Sequence, residues 1–334
     1  MKIDYHVHLE EGPYSFRWLE RTSEAIASFG LPDGLEKGTK DFVTWQVNAW
    51  KNRLDKGCYS EEWLDLYLKR AKQLGLKEVG IVDHLYRFRE TRNYFEKNML
   101  LDPSDDVGKV QRYWLDRVMT ENMGDFVNSI LSAKEKWSRE GVDLRLGIEA
   151  DYFAGCEAEL VELLSGQPWD YVIGSVHFVD GWGFDNPQTV EIFETMNLKA
   201  LYERFFETVE KAIRSEIFDF VAHLDNLKVF NFRVDDAKFN NEWYARIADA
   251  LIETGTATEV NAGLYYRYPV KEMCPSPDFL RVLVDRGVSF TVSSDSHYPD
   301  DLGKYTGENA NMLKELGVDK LVGFDGRVKK LYSF

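Results

Sequence analysis

Seven short apolar runs recur along this chain, each ending in a polar tip and each followed by a longer stretch. That rhythm limits the possible folds more than any other feature. The runs cover residues 3–9, 78–82, 144–150, 171–176, 218–222, 257–261 and 288–293. Several are continuous rather than alternating, as in parallel strands covered by helices. The stretches between them carry helix signals. Leu201, Phe205, Val209 and Ile213 recur every fourth residue and share one helix face. Trp63, Tyr67, Ala71 and Leu74 do the same with Gly75 as a stop, and Ile247 and Leu251 lead to Gly255. Ser276 and Pro277 fit an N-cap and first helical position, with Leu280, Leu283 and Val284 on the apolar face and Gly287 at the end. Seven β-then-α units predict an α/β fold closed, or nearly closed, into a parallel barrel.

Two connections exceed an ordinary loop and helix, and residues 30–75 and 86–141 are expected to add helices or lids over the barrel mouth. The tail LVGFDGRVKKL holds Asp325-Gly326 between alternating residues, a hairpin signal. A length of 334 residues suits one such barrel, and the chain reads as a single domain over 1–334.

Charge and composition exclude some partners. A net charge of −16 repels phosphate backbones, so no nucleic-acid partner is expected. A small anionic substrate stays open, because a metal cluster reverses the sign locally. No run approaches the roughly 20 apolar residues of a membrane span. The start MKIDYHVHL has no apolar signal core, so a cytoplasmic protein without a membrane partner is expected. Cys58, Cys156 and Cys274 lie far apart, match no zinc spacing and read as reduced thiols, Cys274 as a buried structural one.

The functional signal is where the polar residues fall. The first strand ends in His6-Val7-His8, and residues two apart on a strand face the same way. The next ends are Asp83-His84, Glu149 followed by Asp151, Ser175-Val176-His177, His223-Leu224-Asp225, Glu259-Val260-Asn261 and Asp295-Ser296-His297. In a parallel barrel these ends gather at one mouth, where barrel active sites sit. Taken singly, a histidine at a strand end is more often a hydrogen-bonded structural residue. That account would have to hold for all six histidines, with none left elsewhere. Imidazole and carboxylate are ligands that zinc, iron and manganese accept, and so many donors suit two or three divalent ions sharing a bridging carboxylate. Clustered cations bring a bound water toward neutral pKa and stabilise charge on a phosphoryl or acyl oxygen. Arginines follow the same strands: Arg87 and Arg89, then Arg233, then Arg267. Guanidinium groups bind phosphate in bidentate fashion, so Arg233, Arg267 and Arg87 are candidate substrate-binding residues.

The pieces DYHVH, VDH, GIEAD, GSVHF, AHLD and SSDSH, in that order from residue 4 to 297, resemble the polymerase-and-histidinol-phosphatase (PHP) superfamily. The longer pieces GSVHFVDGWGFDNP, HLDNLKVFNFR and EVNAGLYYRYP resemble its histidinol-phosphate phosphatase branch. The resemblance implies a distorted seven-stranded (β/α) barrel of TIM-like form with a trinuclear site of zinc, iron or manganese. It implies one metal on His6, His8, Glu149 and Asp295, a second on Glu149, His177 and His223, and a third on His84 and His297. Relatives often have a further histidine shortly after H-x-H, where this chain reads Leu9-Glu10-Glu11-Gly12-Pro13-Tyr14. Glu11, ahead of Glu10, is the expected substitute ligand. The implied activity is a phosphomonoesterase acting on L-histidinol phosphate with a metal-bound hydroxide, and Asp295 or a site histidine such as His297 as the acid. Two alternatives stand beside it: a PHP-type phosphodiesterase or exonuclease, and a non-catalytic metal-binding regulatory protein.

Overall fold

The computed structural model describes residues 2–334. Seven strands pair in chain order, every pair parallel: β1 (Ile3–His8), β2 (Glu78–Val82), β3 (Asp143–Asp151), β4 (Tyr171–Ser175), β5 (Phe220–Val221), β6 (Ala257–Asn261) and β7 (Phe290–Ser293). The sheet curls until its two edges meet. Val7 bridges Ser296 in parallel, and the His8 amide donates to the Ser296 carbonyl at 2.7 Å. The buried Asp4 carboxylate stitches the same seam, accepting from the Ser294 amide at 3.0 Å, the Ser294 hydroxyl at 2.5 Å and the Gly303 amide at 2.9 Å. The result is the expected, nearly closed α/β barrel. β5 is shorter than the apolar run over 218–222, although its ladder extends past the strand: the Asp219 amide bonds Val172 and the Ala222 amide bonds Gly174. His223 follows with φ +27°, which ends the extended backbone.

Helices fill the long connections. The first holds α1 (Phe16–Gly30), α2 (Lys40–Lys56) and α3 (Glu61–Leu74), and the second holds α4 (Arg92–Asn98), α5 (Asp106–Val118) and α6 (Met123–Arg139). α3 buries Trp63, Tyr67 and Ala71, and Gly75 caps it in the left-handed conformation at φ +69°. The helix Leu198–Arg214 buries Leu201, Phe205, Val209 and Ile213, the stripe read from the sequence. Among the described residues no helix is long and apolar enough to cross a membrane.

The barrel has two chemically different ends. At the N-terminal ends of the strands an aromatic plug fills the interior: Tyr5, Tyr171, Phe220 and Phe324 pack with neighbouring ring centroids 5.2–6.1 Å apart. Phe324 comes from the tail hairpin β8 (Lys320–Asp325) and β9 (Val328–Ser333). The two turn residues are Gly326 and Arg327, at φ +57° and +66°, one position later than Asp325-Gly326 suggests, because Asp325 still pairs with Val328. A bulge lets β1 serve both ends. Asp4 pairs Val79 while Val7 pairs Ile81, so β1 carries one extra residue. Tyr5 and His6 therefore share the place opposite Gly80, Tyr5 turned to the plug and His6 to the mouth.

The plug requires glycine beside it. A Cβ on Gly147 would lie 2.3 Å from the Tyr171 ring, and one on Gly80 would lie 2.2 Å from its hydroxyl. Gly147→Ala should destabilise the fold by about 2–3 kcal/mol, the cost of overpacking a filled core, read from urea unfolding midpoints. The hairpin joint carries a pH dependence. Asp219 accepts from the Val172 amide at 2.7 Å and pairs with Arg327 at 2.5 Å, yet burial outweighs both and pushes its carboxyl up to about 6. A raised carboxyl favours folding below its unfolded pKa, and that contribution is lost as pH rises through about 6. Relative to Asp219→Asn, the wild type should lose about 2 kcal/mol between about pH 4 and about pH 7, measured as the difference of two stability–pH curves.

Candidate metal centre

At the C-terminal ends of the strands the side chains converge on Glu149. Its Oε2 lies 3.2 Å from His6 Nε2, 3.2 Å from His8 Nε2 and 2.8 Å from His84 Nδ1. Its Oε1 lies 3.1 Å from His223 Nε2 and 3.5 Å from His177 Nε2. The sixth histidine, His297, stacks on His8 at 4.3 Å, and its Nε2 is 3.5 Å from His84 Nε2. Asp295 Oδ1 is 3.9 Å from His8 Nε2. All six histidines, Glu149 and Asp295 are buried.

Outer carboxylates orient the rings. Asp151 takes the Nδ1 proton of His177 at 2.7 Å. Glu259 takes that of His6 at 3.2 Å, and is itself held by the Ser293 hydroxyl at 2.6 Å and the Asn261 amide at 2.9 Å. His297 Nδ1 donates to the Asp295 carbonyl at 3.2 Å. With Nδ1 protonated, each of these rings aims an Nε2 lone pair inward, the second-layer arrangement of metal-binding histidines. His6 Nε2 and His8 Nε2 then face each other at 3.0 Å. Glu149 Oε2 receives no well-aligned hydrogen bond although three imidazole nitrogens lie within 3.2 Å, and the buried Nδ1 atoms of His8 and His223 also lack partners. Lone pairs that converge without donors suit a cation, and three sets fit one: His6, His8 and Asp295; His8, His84 and His297; His84, Glu149 and His177. The residues present fit divalent metal.

The field at the site also calls for positive charge. Burial alone would lower His177, but Asp151 and Glu149 override it and push the ring up to about 10. Burial is likewise overridden at His6, which Glu259, Glu149 and Asp295 hold well above the usual range. Burial would raise Glu149, yet His84, His6 and His177 hold it well below the usual carboxylate range. His8 and His297 lie well below the imidazole range, first through burial and then through cationic neighbours, His84 for one and Arg267 for the other.

The remaining sequence candidates separate. Glu11 and Arg267 line the pocket above the cluster, with Arg267 Nη1 3.7 Å from Glu11. Arg267 Nη2 holds Asp295 Oδ2 at 2.8 Å. Gly263 makes this packing possible, since a Cβ there would lie 2.3 Å from that oxygen. Glu10 turns away and joins Arg53 and Tyr14. Arg87 and Arg233 are not among the pocket residues, and two expectations are corrected here. The short helical turn Leu85–Arg87 buries the Arg87 side chain between Asp83, Glu10 and Glu121, 3.4–3.6 Å away. Arg233 stays at the surface, 3.1 Å from Glu272. Asp295 sits at φ +53° and His223 at φ +27°, left-handed backbone that side chains rarely adopt and that the surrounding contacts must enforce. Sequence reasoning did not single out Asp185, Tyr86, Trp114 and Tyr268, which line the pocket; Asp185 and Tyr268 lie within the pieces GSVHFVDGWGFDNP and EVNAGLYYRYP, whereas no periodicity or motif marks Tyr86 and Trp114.

Fold and site together define a class: a parallel α/β barrel whose mouth carries a histidine–carboxylate cluster built for divalent metal. The chain belongs to the PHP domain family, whose model matches residues 58–263. It is 34% identical over 208 residues to a protein named "Probable histidinol-phosphatase" from Deinococcus radiodurans, spanning 61% of this chain and 77% of that protein. A protein of the same name from Clostridium acetobutylicum is 24% identical over 249 residues, spanning 70% of this chain and 94% of that one. The crystal structure of histidinol phosphate phosphatase from Lactococcus lactis, complexed with zinc, L-histidinol and phosphate, superposes with a TM-score of 0.62 at 17% identity over 98% of both chains.

Glu149 touches five imidazoles at once, so its loss should weaken metal binding at the centre. Glu149→Ala should retain its fold but bind at least about one divalent ion fewer per chain, measured by elemental analysis after gel filtration.

Proposed function

We propose that this chain is a metal-dependent phosphomonoesterase that hydrolyses L-histidinol phosphate to L-histidinol and phosphate, with two or three zinc, iron or manganese ions at the barrel mouth. One observation carries the reading: a single buried carboxylate shared by five imidazoles, with Arg267 and Asp295 paired beside it. The relatives' names agree with it. His6, His8, Glu149 and Asp295 would hold one ion, Glu149, His177 and His223 a second, and His84, His297 and Glu11 a third. Such ions supply Lewis acidity, lowering the pKa of water and neutralising phosphoryl oxygens.

The chain's own groups do the rest. Arg267 places its guanidinium beside the phosphate oxygens, where a donor in a partly desolvated pocket acts on charge as it develops. Its bond to Asp295 Oδ2 leaves Oδ1 turned toward His8 and His297. Asp295 would take the proton of the attacking water on Oδ2, the oxygen turned away from the ion site, and return it to the leaving alkoxide. His297, kept neutral by burial and by Arg267, serves as a ligand rather than as the acid.

Metal-loaded protein should release phosphate from L-histidinol phosphate, and a chelator should abolish that release until metal is restored. Arg267→Ala should lower kcat/KM by about a hundredfold or more. Absence of phosphate release from this substrate and from a phosphomonoester panel sinks the reading.

A further inference from the structure

The pocket above the metal centre has one carboxylate without an ion-pair partner among the described residues. Glu149 is ringed by imidazoles, Asp295 is held by Arg267, and Glu11 lies 3.7 Å from the same guanidinium. Asp185 also lines the pocket, but among the described residues no lysine or arginine pairs with it. It sits after the short ribbon Trp182–Gly183. The titratable groups around it are His177 and His84 of the cluster and Asp151, whose own carboxylate is taken by His177.

Its surroundings are aromatic. Tyr86, Trp114, Phe178 and Tyr268 line the same pocket. Tyr86 stacks on His84 at 4.5 Å and meets Trp114 at 4.7 Å, so this wall rises directly from the metal floor. A carboxylate among aromatic faces, partly shielded from water, suits an organic cation: the carboxylate accepts its N–H groups and the rings take its apolar and cationic surface. The pocket is thus bipolar, with Arg267 and the metal-binding cluster for an anion and Asp185 with the aromatic wall for a cation.

We propose that Asp185 is a specificity-determining residue of this pocket, selecting phosphomonoesters that carry an ammonium or imidazolium group a few bonds from the phosphate. The inference rests on the phosphomonoesterase reading above and adds the residue that chooses among such esters.

The test compares wild type with Asp185→Asn and Asp185→Ala, all metal-loaded, on L-histidinol phosphate and on two amine-free esters, p-nitrophenyl phosphate and glycerol phosphate. The ratio of kcat/KM on the amine ester to that on the amine-free esters should fall about ten- to a hundredfold, with KM rather than kcat carrying the change. Inhibition by L-histidinol should weaken by a similar factor, while metal content and thermal midpoint stay at wild-type values. An equal loss on all esters, an unchanged ratio, or loss of metal from the variants overturns the assignment and leaves the phosphatase reading intact. A wild type that hydrolyses none of the esters overturns both.

Discussion

A carboxylate buried to 1% exposure cannot stay charged in a protein interior without cations around it, and Glu149 is placed under that constraint. Five imidazoles surround it, delivered by β1 and by the ends of β2, β4 and β5. Protons on those rings satisfy the charge in part, since His6 and His177 are both raised, but His8 in the same cluster is driven the opposite way. A divalent ion in place of those protons would supply the positive charge and accept the ring lone pairs, with His6 Nε2 and His8 Nε2 only 3.0 Å apart.

The barrel is arranged around that need. Its lower half is an apolar plug of Tyr5, Tyr171, Phe220 and Phe324, which fixes strand spacing without polar demands. Its upper half is almost wholly polar and buried, and depends on the outer layer of Asp151, Glu259, Ser293 and Asn261 to set tautomers and ring angles. The bulge in β1 joins the halves by turning two consecutive residues inward. Left-handed backbone at His223 and Asp295 shows the same priority, local strain held by tertiary contacts so that two donors reach the centre.

Residues legible in the sequence share a physical property: they sit where strand periodicity forces their direction. The H-x-H pair on β1 faces one way because a strand repeats every two residues, and parallel pairing brings all seven strand ends to one rim. Arginines on the following loops carry no such constraint. Arg267 enters the pocket, whereas Arg87 is folded back into a buried ion network and Arg233 is held at the surface by Glu272. Being near a strand end in sequence does not set the direction of a side chain beyond it.

The sequence by itself determined the barrel, the rim on which the histidines stand and the metal-binding character of that rim, because hydrophobic period and parallel topology are local or combinatorial rules. Only the tertiary structure decided that five imidazoles close on the one Glu149 carboxylate, and that Arg267 rather than Arg87 or Arg233 meets the pocket. It also set Asp185 against an aromatic wall built from three separate connections. Those outcomes depend on distances between segments far apart in the chain, and no local period encodes them.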